Sequence, residues 1–363
     1  MPSMITKETS ILGVVRKLGS IFGTSKKKSK KTELTKHPIE YYMQGFAFCP
    51  DCGALIALNE LTPLEMFHCP LCNKMSFAPK KVGNFWLFEP IGGGGMGAVY
   101  KAYHQKYQDD LFAVKILPRN QLRNTIAIEA LLAEAEIARD LDVFPYIACL
   151  VSSGRKDKEY YFAMEFIKGK RLDYKIEELG KIPQLDAILY LLQILAADAH
   201  IYKCGYLYRD LKPQNIIIDK TGNAILFDYG ICMKKEEARR YGGDLVQGSP
   251  YYLPPERMEG AGEDMYSEIY SMGHLMFHML TGHTYFEGKT IQGLAKKHVF
   301  HMKLEYDRKE FKDIDPELIE VLKDMMHRNP ASRPQSFVEL ETSLFNIYER
   351  LEKRQKLLSK VSA

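Results

Sequence analysis

The sequence of 363 residues contains no run of about 18 consecutive apolar residues, the length that a helix needs to cross a bilayer. Arg16 and Lys17 interrupt its amino-terminal apolar residues, which argues against the continuous hydrophobic core of a secretory signal. We therefore expect a chain that stays in the compartment where it is made, the cytoplasm.

The net positive charge of the chain comes from its first 36 residues. Residues 1–36 hold nine Lys and Arg against two Glu, whereas the whole chain carries only +4, so the remainder is net negative. The polybasic run KKKSKK spans Lys26–Lys31 and follows an apolar stripe at helical spacing, formed by Ile11, Val14, Val15, Leu18, Ile21 and Phe22. A basic amphipathic helix of this kind fits a regulatory protein or an anionic membrane surface, which would place the chain peripherally at a membrane. The alternative is a mostly disordered tail whose short helix docks on its own chain.

Four of the seven Cys fall into two Cys-x-x-Cys pairs, FCPDCG at Phe48–Gly53 and HCPLCN at His68–Asn73. Pairs at this spacing place four thiolates around one Zn²⁺, and a filled shell leaves no position for a substrate, so the predicted site is structural. The predicted ligands are Cys49, Cys52, Cys69 and Cys72. This region, about residues 41–80, resembles a zinc ribbon; a rubredoxin-like iron site and unmetallated Cys are the alternatives. Basic residues are few within it, which argues against nucleic acid as a partner.

A glycine-rich stretch begins at Ile91 and reads IGGGGMGAVYKA. It contains the pattern G-x-G-x-x-G at Gly92, Gly94 and Gly97. The residues from Val99 onward are β-prone, whereas a Rossmann fingerprint would open a helix. The pattern therefore predicts a hairpin tip whose backbone amides approach phosphate oxygens.

The next apolar strand, FAVKIL, is interrupted by a single charge, Lys115. Because a buried Lys needs an anionic partner, the strand predicts contact with nucleotide phosphates and with a Glu on the following helix. Residues 124–142 are rich in Ala, Leu and Glu and predict that helix. We choose Glu134 as the partner of Lys115, with Glu136 as the fallback.

Five further motifs follow in order: YLYRDLKPQNIII at 206–218, ILFDYG at 225–230, GSPYYLPPE at 248–256, SEIYSMG at 267–273 and HRNPASRP at 327–334. Together with the glycine and Lys115 motifs, they resemble the eukaryotic-like protein kinase superfamily, especially the bacterial Ser/Thr kinases, over about residues 84–350. The resemblance implies an α+β, bilobal kinase fold with a small zinc ribbon before it. It also implies a buried ion pair between Glu256 and Arg333.

The expected organisation has four parts. They are a basic tail (1–36), the zinc-ribbon-like module (41–80), a kinase domain (84–350) and a C-terminal helical extension (351–363). Within the kinase domain, we expect a β-rich N-lobe over about 84–166 and a helical C-lobe over about 167–350.

The resemblance implies transfer of the ATP γ-phosphate, with Mg²⁺, to a Ser or Thr hydroxyl of a protein substrate. Asp210 would be the catalytic base, Lys212 would contact the γ-phosphate, and Asn215 and Asp228 would hold Mg²⁺. In this superfamily, Lys two residues after the catalytic Asp accompanies Ser/Thr kinases. The predicted ATP-binding residues are Ile91, Gly92, Gly94, Gly97, Val99, Ala113, Lys115, Met164, Glu165, Ile167 and Ile217.

Three positions depart from the family pattern. Tyr208 stands in place of the usual His, Tyr229 in place of the usual Phe, and Glu268 in place of the Asp that holds the catalytic loop. None of them would touch phosphate, metal or hydroxyl. Two other functions remain open: an inactive pseudokinase that serves as an adaptor scaffold with its ribbon, and a small-molecule kinase.

The segment between Asp228 and Glu256 contains no Thr, and Ser249 is its only Ser. In the family, Arg209 usually binds a phosphate on this activation segment, but the obvious acceptors are missing here apart from Tyr241. We therefore expect activity to be set by the N-terminal segments or by a partner rather than by phosphorylation of the activation segment.

Overall fold

The computed structural model describes residues 37–94, 97–156, 158–240, 247–301 and 309–361. These residues form two compact units. The sheet unit contains the described residues up to 139 together with 148–166, and the helical unit contains 140–147 and the described residues from 167 on. The helix and the polybasic run expected in residues 1–36 lie outside the described residues.

The sheet unit is built on a six-stranded antiparallel sheet in the order β5-β6-β7-β8-β10-β9. Burial alternates along β8, because Phe112, Val114 and Ile116 face the core while Ala113 and Lys115 face the other side. The elements are α1 (Pro38–Met43), β1 (Phe46–Phe48), β2 (Leu55–Ala57), β3 (Met66–His68), β4 (Met75–Phe77), β5 (Lys80–Val82), β6 (Phe85–Gly94), β7 (Gly97–His104), β8 (Leu111–Ile116), α2 (Thr125–Asp140), β9 (Leu150–Lys156) and β10 (Glu159–Glu165).

The cysteine module, defined here as residues 46–77, consists of the hairpins β1-β2 and β3-β4. Its core continues into that of the sheet. Leu64 packs against the cluster on the core-facing side of the sheet, and Phe48 and Leu58 pack against a second cluster that contains Tyr42 and Trp86. The module and the sheet therefore fold as one unit.

The helical unit is built around two central helices, α4 (Gln184–Lys203) and α7 (Met265–Thr281). Its elements are β11 (Gly169–Arg171), α3 (Leu172–Leu179), α4 (Gln184–Lys203), β12 (Tyr206–Leu207), β13 (Ile216–Asp219), β14 (Ala224–Leu226), β15 (Met233–Lys234), α5 (Lys235–Ala238), α6 (Pro255–Met258), α7 (Met265–Thr281), α8 (Ile291–Phe300), α9 (Pro316–Met325) and α10 (Phe337–Val361). The α+β fold class predicted from the sequence is confirmed. Helix α10 is continuous across residue 350, where the C-terminal extension was expected to begin.

Apolar residues surround both central helices on nearly all sides, as expected of core helices. Helix α4 is the one described helix that is long and apolar enough to cross a membrane, but 72% of its most apolar window is buried within the protein. Helix α7 begins at a capping box formed by Asp264 and Ser267, and ends at Gly282 in the left-handed conformation.

Helix α7 also carries a buried histidine. The ring of His274 lies 4.8 Å from that of His298 on α8, measured between centroids. Neither ring nitrogen of His274 has a hydrogen-bond partner among the described residues. Burial, with smaller contributions from His298 and His301, holds the pKa of His274 well below its usual value.

The substitution His274→Phe is expected to make the protein less sensitive to acid. Because the folded-state pKa is depressed, only the unfolded state binds this proton below about pH 6.5, so the wild type loses about 1.4 kcal/mol of unfolding free energy per pH unit at this residue. The variant lacks that loss. Denaturant unfolding between about pH 7.5 and 4.5 should show a stability difference that grows as pH falls; a constant difference would contradict the prediction.

Candidate functional site

A loop between β12 and the 3-10 turn Pro213–Asn215 fixes the side chain of Asp210. Its Oδ2 accepts hydrogen bonds from Lys212 Nζ at 2.6 Å and from Asn215 Nδ2 at 2.8 Å. Its Oδ1 has no hydrogen-bond partner among the described residues. The loop thus orients the carboxylate through Oδ2, whereas Oδ1 is buried.

Two oxygen donors in the helical unit suit a hard cation. The Asn215 amide nitrogen bonds within the loop, to Asp210 Oδ2 and to the Asp210 carbonyl oxygen, which leaves the Asn215 side-chain oxygen for other ligands. Asp228 follows β14 with φ of 71°, and its Oδ1 accepts the N–H of Gly230 at 3.2 Å. A carboxylate and an amide oxygen are the donor types that Mg²⁺ prefers.

Tyr208 and Tyr229, the first two departures from the family pattern, are both fully buried, and their rings meet edge to face. The Tyr208 hydroxyl donates a hydrogen bond of 2.6 Å to the carbonyl oxygen of Phe227. Burial raises the pKa of Tyr208, with further increases from Asp210 and Asp228, so the hydroxyl keeps its proton. The aromatic exchange therefore preserves packing and adds a bond next to Asp228.

Glu268, the third departure, still anchors the catalytic loop. Its Oε1 accepts the backbone N–H of Arg209 at 2.9 Å, although the side chain is one methylene longer than Asp. Burial raises the pKa of Glu268 to about 7, partly opposed by Arg257. Asp198 of α4 is fully buried nearby, and burial together with the Glu268 charge raises its pKa. Burial thus raises the pKa of both carboxyls, which favours a protonated acid within this pair.

One face of the sheet carries the predicted nucleotide contacts of the sheet unit. Val99 pairs with Lys115, and Met164 pairs with Ala113, across neighbouring antiparallel strands. Directly opposite residues project to the same side of a sheet, so these four side chains share a face. Gly97 adopts φ of 153°, which favours glycine, and a Cβ there would lie 3.2 Å from Lys115 Cε, so another residue would press on this lysine.

Lys115 contacts the helix residue chosen from the sequence. Its Nζ lies 2.6 Å from Glu134 Oε2, with only 16% and 4% of the two side chains exposed. Glu136, the fallback, is exposed on the same helix. The contact holds the largely buried lysine side chain in a fixed position on the sheet face.

The remaining predicted ATP contacts lie in both units. Ile91, Gly92 and Gly94 lie on β6. Glu165 ends β10, and its N–H donates to the Cys149 carbonyl oxygen at 3.1 Å. Ile167 and Ile217 belong to the helical unit, where Ile217 lies on β13 opposite Arg171 and Ile225.

The four module cysteines converge. Their sulfur atoms all lie within 4.8 Å of one another, and the Cys49–Cys72 and Cys52–Cys69 sulfurs are each 3.6 Å apart. Because Zn–S bonds of about 2.3 Å place tetrahedral sulfurs about 3.8 Å apart, these distances fit one zinc ion. Burial would raise the pKa of the Cys49 thiol, but N–H groups of Cys52 and Asp51 lower it to about 6.

Matching backbone geometry in the two hairpins produces this convergence. The carbonyl oxygen of Cys49 accepts the N–H of Gly53, and that of Cys69 accepts the N–H of Asn73, both at 2.9 Å. Gly53 and Asn73 occupy the same place in each turn and both have positive φ, which Gly and Asn tolerate best.

Sequence reasoning missed two charged residues beside the catalytic loop. Glu263 accepts hydrogen bonds from Arg209 and also from Arg257. Both residues lie near the GSPYYLPPE motif, but a carboxylate in the loop sequence GAGED is typical of an exposed turn, so no pattern indicated this contact. The sequence held one hint: if Arg209 were buried, its charge would require an anionic partner.

Comparison with known families and proteins agrees with this geometry. The family model described as protein kinase domain matches residues 85–345. Serine/threonine-protein kinase PrkC of Bacillus subtilis (strain 168) is 34% identical over 217 residues, which cover 60% of this chain and 33% of that protein. Probable serine/threonine-protein kinase PknB of Lactococcus lactis is 32% identical over 212 residues, which cover 58% of this chain and 34% of that protein.

The similarity extends to eukaryotic proteins. The RAC family serine/threonine-protein kinase homolog of Dictyostelium discoideum is 26% identical over 260 residues, which cover 70% of this chain and 57% of that protein. The chain spans about a third of the length of the two bacterial relatives. The shared part is therefore one domain of longer proteins.

Proposed function

The chain belongs to the protein kinase domain family, and on that premise we propose that it transfers the ATP γ-phosphate to Ser or Thr residues of other proteins. The family implies ATP, Mg²⁺ and a protein substrate. Relatives named serine/threonine-protein kinases support the Ser/Thr preference. The contact of Lys212 with Asp210 supports it as well.

The observation that carries the proposal is the state of the Asp210 carboxylate. Lys212 and Asn215 bind its Oδ2, and its Oδ1 is without a partner among the described residues. A substrate hydroxyl that approaches this oriented carboxylate would be positioned for attack, and its proton would pass to the carboxylate. We assign Asp210 as the catalytic base.

The other predicted site residues receive matching roles. Lys115, held by Glu134, would bind nucleotide phosphates, and the amides of the glycine strand would approach the phosphate oxygens. Lys212 would contact the γ-phosphate. Asn215 and Asp228 would hold Mg²⁺, which neutralises charge on the phosphate oxygens when bound. The hydrophobic members of the predicted set would contact the adenine ring: Val99, Ala113, Met164 and Ile217.

The two alternatives fit the molecule less well. A pseudokinase scaffold needs no oriented base, yet Asp210, Lys212 and Asn215 form a hydrogen-bonded set. A small-molecule kinase needs no peptide platform, yet the segment 248–256 is tied to the helical unit by the pair of Glu256 with Arg333. Both observations favour protein phosphorylation.

We further propose that Cys49, Cys52, Cys69 and Cys72 hold one structural Zn²⁺. The sulfur separations fit tetrahedral coordination, and four thiolates fill the shell, so this ion would take no part in phosphate transfer. The division of the chain at residues 36, 41–80, 84 and 350 also stays a prediction.

Cytoplasmic localisation is likewise a proposal, as is a regulatory protein or an anionic membrane as partner of residues 1–36, which lie outside the described residues. The excess of positive charge in residues 1–36 supports such a partner. The cysteine module has few basic residues, which gives nucleic acid as a partner little support. Flotation with anionic liposomes, compared between the full chain and a chain lacking residues 1–36, would distinguish a membrane from a regulatory protein as the partner. Equal flotation would rule out the membrane.

The decisive experiment incubates the full chain with γ-labelled ATP, Mg²⁺ and casein, followed by phosphoamino-acid analysis. We expect label on Ser and Thr, reduced about 100-fold or more by Asp210→Asn because the base is lost. Asp109→Asn, the same change at an exposed turn, should leave labelling intact. Nucleotide binding without transfer would favour the scaffold, and label on an aminoglycoside instead of casein would favour the small-molecule kinase.

A further inference from the structure

Glu263 joins two buried arginines beside the catalytic loop. Its Oε1 accepts hydrogen bonds from Arg209 Nε at 3.1 Å and from Nη2 at 2.8 Å. Its Oε2 accepts from Arg257 Nε at 2.6 Å and lies 2.5 Å from Arg257 Nη2. Four N–H groups thus satisfy both oxygens, and all three side chains are at most 2% exposed.

This arrangement holds the backbone next to the proposed base from two sides. Arg257 Nη1 donates to the Arg209 carbonyl oxygen at 2.7 Å, and the Arg209 N–H donates to Glu268 at 2.9 Å. Arg209 has φ of 69°, a conformation that non-glycine residues adopt only when neighbouring contacts impose it. Because Asp210 follows directly, its carboxylate depends on those contacts for its direction.

Residues 262–264, which include Glu263, also hold the activation segment. The Glu263 N–H donates to the Ala238 carbonyl oxygen at 3.0 Å, and Arg239 Nε donates to Asp264 at 2.6 Å. At Gly262, a Cβ would lie 2.3 Å from the Arg239 carbonyl oxygen, so the two backbones approach as closely as glycine permits. Residues 262–264 therefore fix α5 and its C-terminal end.

In kinases that this chain resembles, a phosphate on the activation segment binds the arginine at the position of Arg209. That phosphate connects the activation segment to the catalytic loop. Here two Arg209 nitrogens bind Glu263, and Nη1 lies 3.5 Å from Met233 Sδ. The segment has no Thr, its single Ser is Ser249, and Tyr241 is the one obvious acceptor that remains in its middle. A carboxylate with two buried arginines around it carries the charge and the acceptor oxygens that a phosphate would supply.

We propose that Glu263 is a positioning residue that replaces the activation-segment phosphate, so the catalytic loop holds its working geometry without phosphorylation there. The inference rests on the proposed kinase function. The sequence led us to expect control by the N-terminal segments or by a partner. If Glu263 supplies the charge from within the chain, the catalytic loop needs no outside activator at this position.

The first arm of the test uses the wild-type full chain alone. The protein is treated with a broad-specificity phosphatase, intact mass confirms that no phosphate remains, and initial rates are measured before autophosphorylation accumulates. We expect the same kcat before and after treatment. A lag, or a loss of activity that recovers as phosphate returns to residues 228–256, would overturn the proposal. This arm stays decisive even if variants fail to fold.

The second arm compares Glu263→Gln with Glu263→Asp. The amide keeps the shape but removes the charge that holds both arginines, so we expect kcat to fall by about tenfold to a hundredfold, because small misplacements of catalytic groups have effects of this size. The KM for ATP and the stoichiometry of nucleotide binding should not change. Glu263→Asp, which keeps the charge, should recover part of kcat. Unchanged kcat in Glu263→Gln would overturn the proposal.

The control is Glu259→Gln, which removes a carboxylate from the same region but one that pairs with Arg328 at the surface. It should leave kcat unchanged. A fall in binding stoichiometry in proportion to kcat would assign Glu263 a purely structural role and overturn the positioning role. A wild type that transfers no phosphate in any state would instead refute the kinase function itself, so the two failures are distinct.

Discussion

Replacing Cys69 by Ser is expected to unfold the cysteine module and to destabilise the whole sheet unit. Metal binding supplies about 10 to 16 kcal/mol in small zinc domains, more than a module of this size gains from its own core. The hydrophobic cluster around its cysteines is small, with Cys49, Ile56 and Cys69 as its buried members. Without the metal, the module has too little buried apolar surface to stay folded.

The module is not the only part affected, because Leu64 packs against the core-facing side of the sheet. When the module unfolds, that side of the sheet becomes exposed to water. The opposite side carries Lys115, whose contact with Glu134 depends on the same strands. We therefore expect metal loss to weaken nucleotide binding indirectly, without any zinc ligand touching the nucleotide.

Two measurements and a control variant check this prediction. Metal analysis should find about one zinc per wild-type chain and none in Cys69→Ser. In Cys69→Ser, the backbone amides of residues 46–77 and of β5–β7 should lose their protection from hydrogen exchange. Cys204→Ser, which changes a cysteine of the helical unit, is the control and should keep both metal and protection. Full zinc occupancy in Cys69→Ser would contradict the assignment, and a coloured, iron-containing protein would identify the rubredoxin-like alternative.

The sequence was most informative where chemistry requires one residue type at one spacing. Two Cys-x-x-Cys pairs lead to one sulfur cluster because hairpin turns repeat their geometry. Lys115 stood out because a charge in an apolar strand needs a partner, and the structure pairs it with Glu134, the first choice on the following helix, rather than with the fallback Glu136. The ion pair of Glu256 with Arg333, expected from the family resemblance, is confirmed.

The sequence was least informative where a contact joins segments without a fixed spacing. Glu263 and Arg209 are 54 residues apart and lie on separate loops, and either alone would be expected at the surface. Asp198 lies in an otherwise apolar helix, and only the structure shows that it faces Glu268. The shared core of module and sheet was hidden for a similar reason, because Leu64 lies in a turn without strand periodicity.

The ion pair of Arg333 with Glu256 holds the end of the activation segment to the helical unit. Arg333 Nη1 lies 2.7 Å from Glu256 Oε1, and Nη2 lies 3.0 Å from Oε2, with side-chain exposures of 0% and 6%. Arg333 also donates to the carbonyl oxygens of Tyr266, His327 and Arg328. One guanidinium therefore satisfies a buried carboxylate and three backbone acceptors.

Arg333→Ala is expected to lower the free energy of unfolding by about 3 to 5 kcal/mol, because it leaves the buried Glu256 charge without its cationic partner and with the Ser267 hydroxyl as a remaining donor. Glu256→Gln should cost less, since the arginine keeps its three carbonyl acceptors and the amide oxygen still accepts one N–H. Arg328→Ala, which breaks a half-exposed pair with Glu259 and a hydrogen bond to the Val299 carbonyl oxygen, should cost less, about 1 to 2 kcal/mol. Denaturant unfolding of the three variants tests this order. If Arg333→Ala and Arg328→Ala were equally stable, the buried pair would contribute no more than a surface pair, and the activation segment would need another anchor.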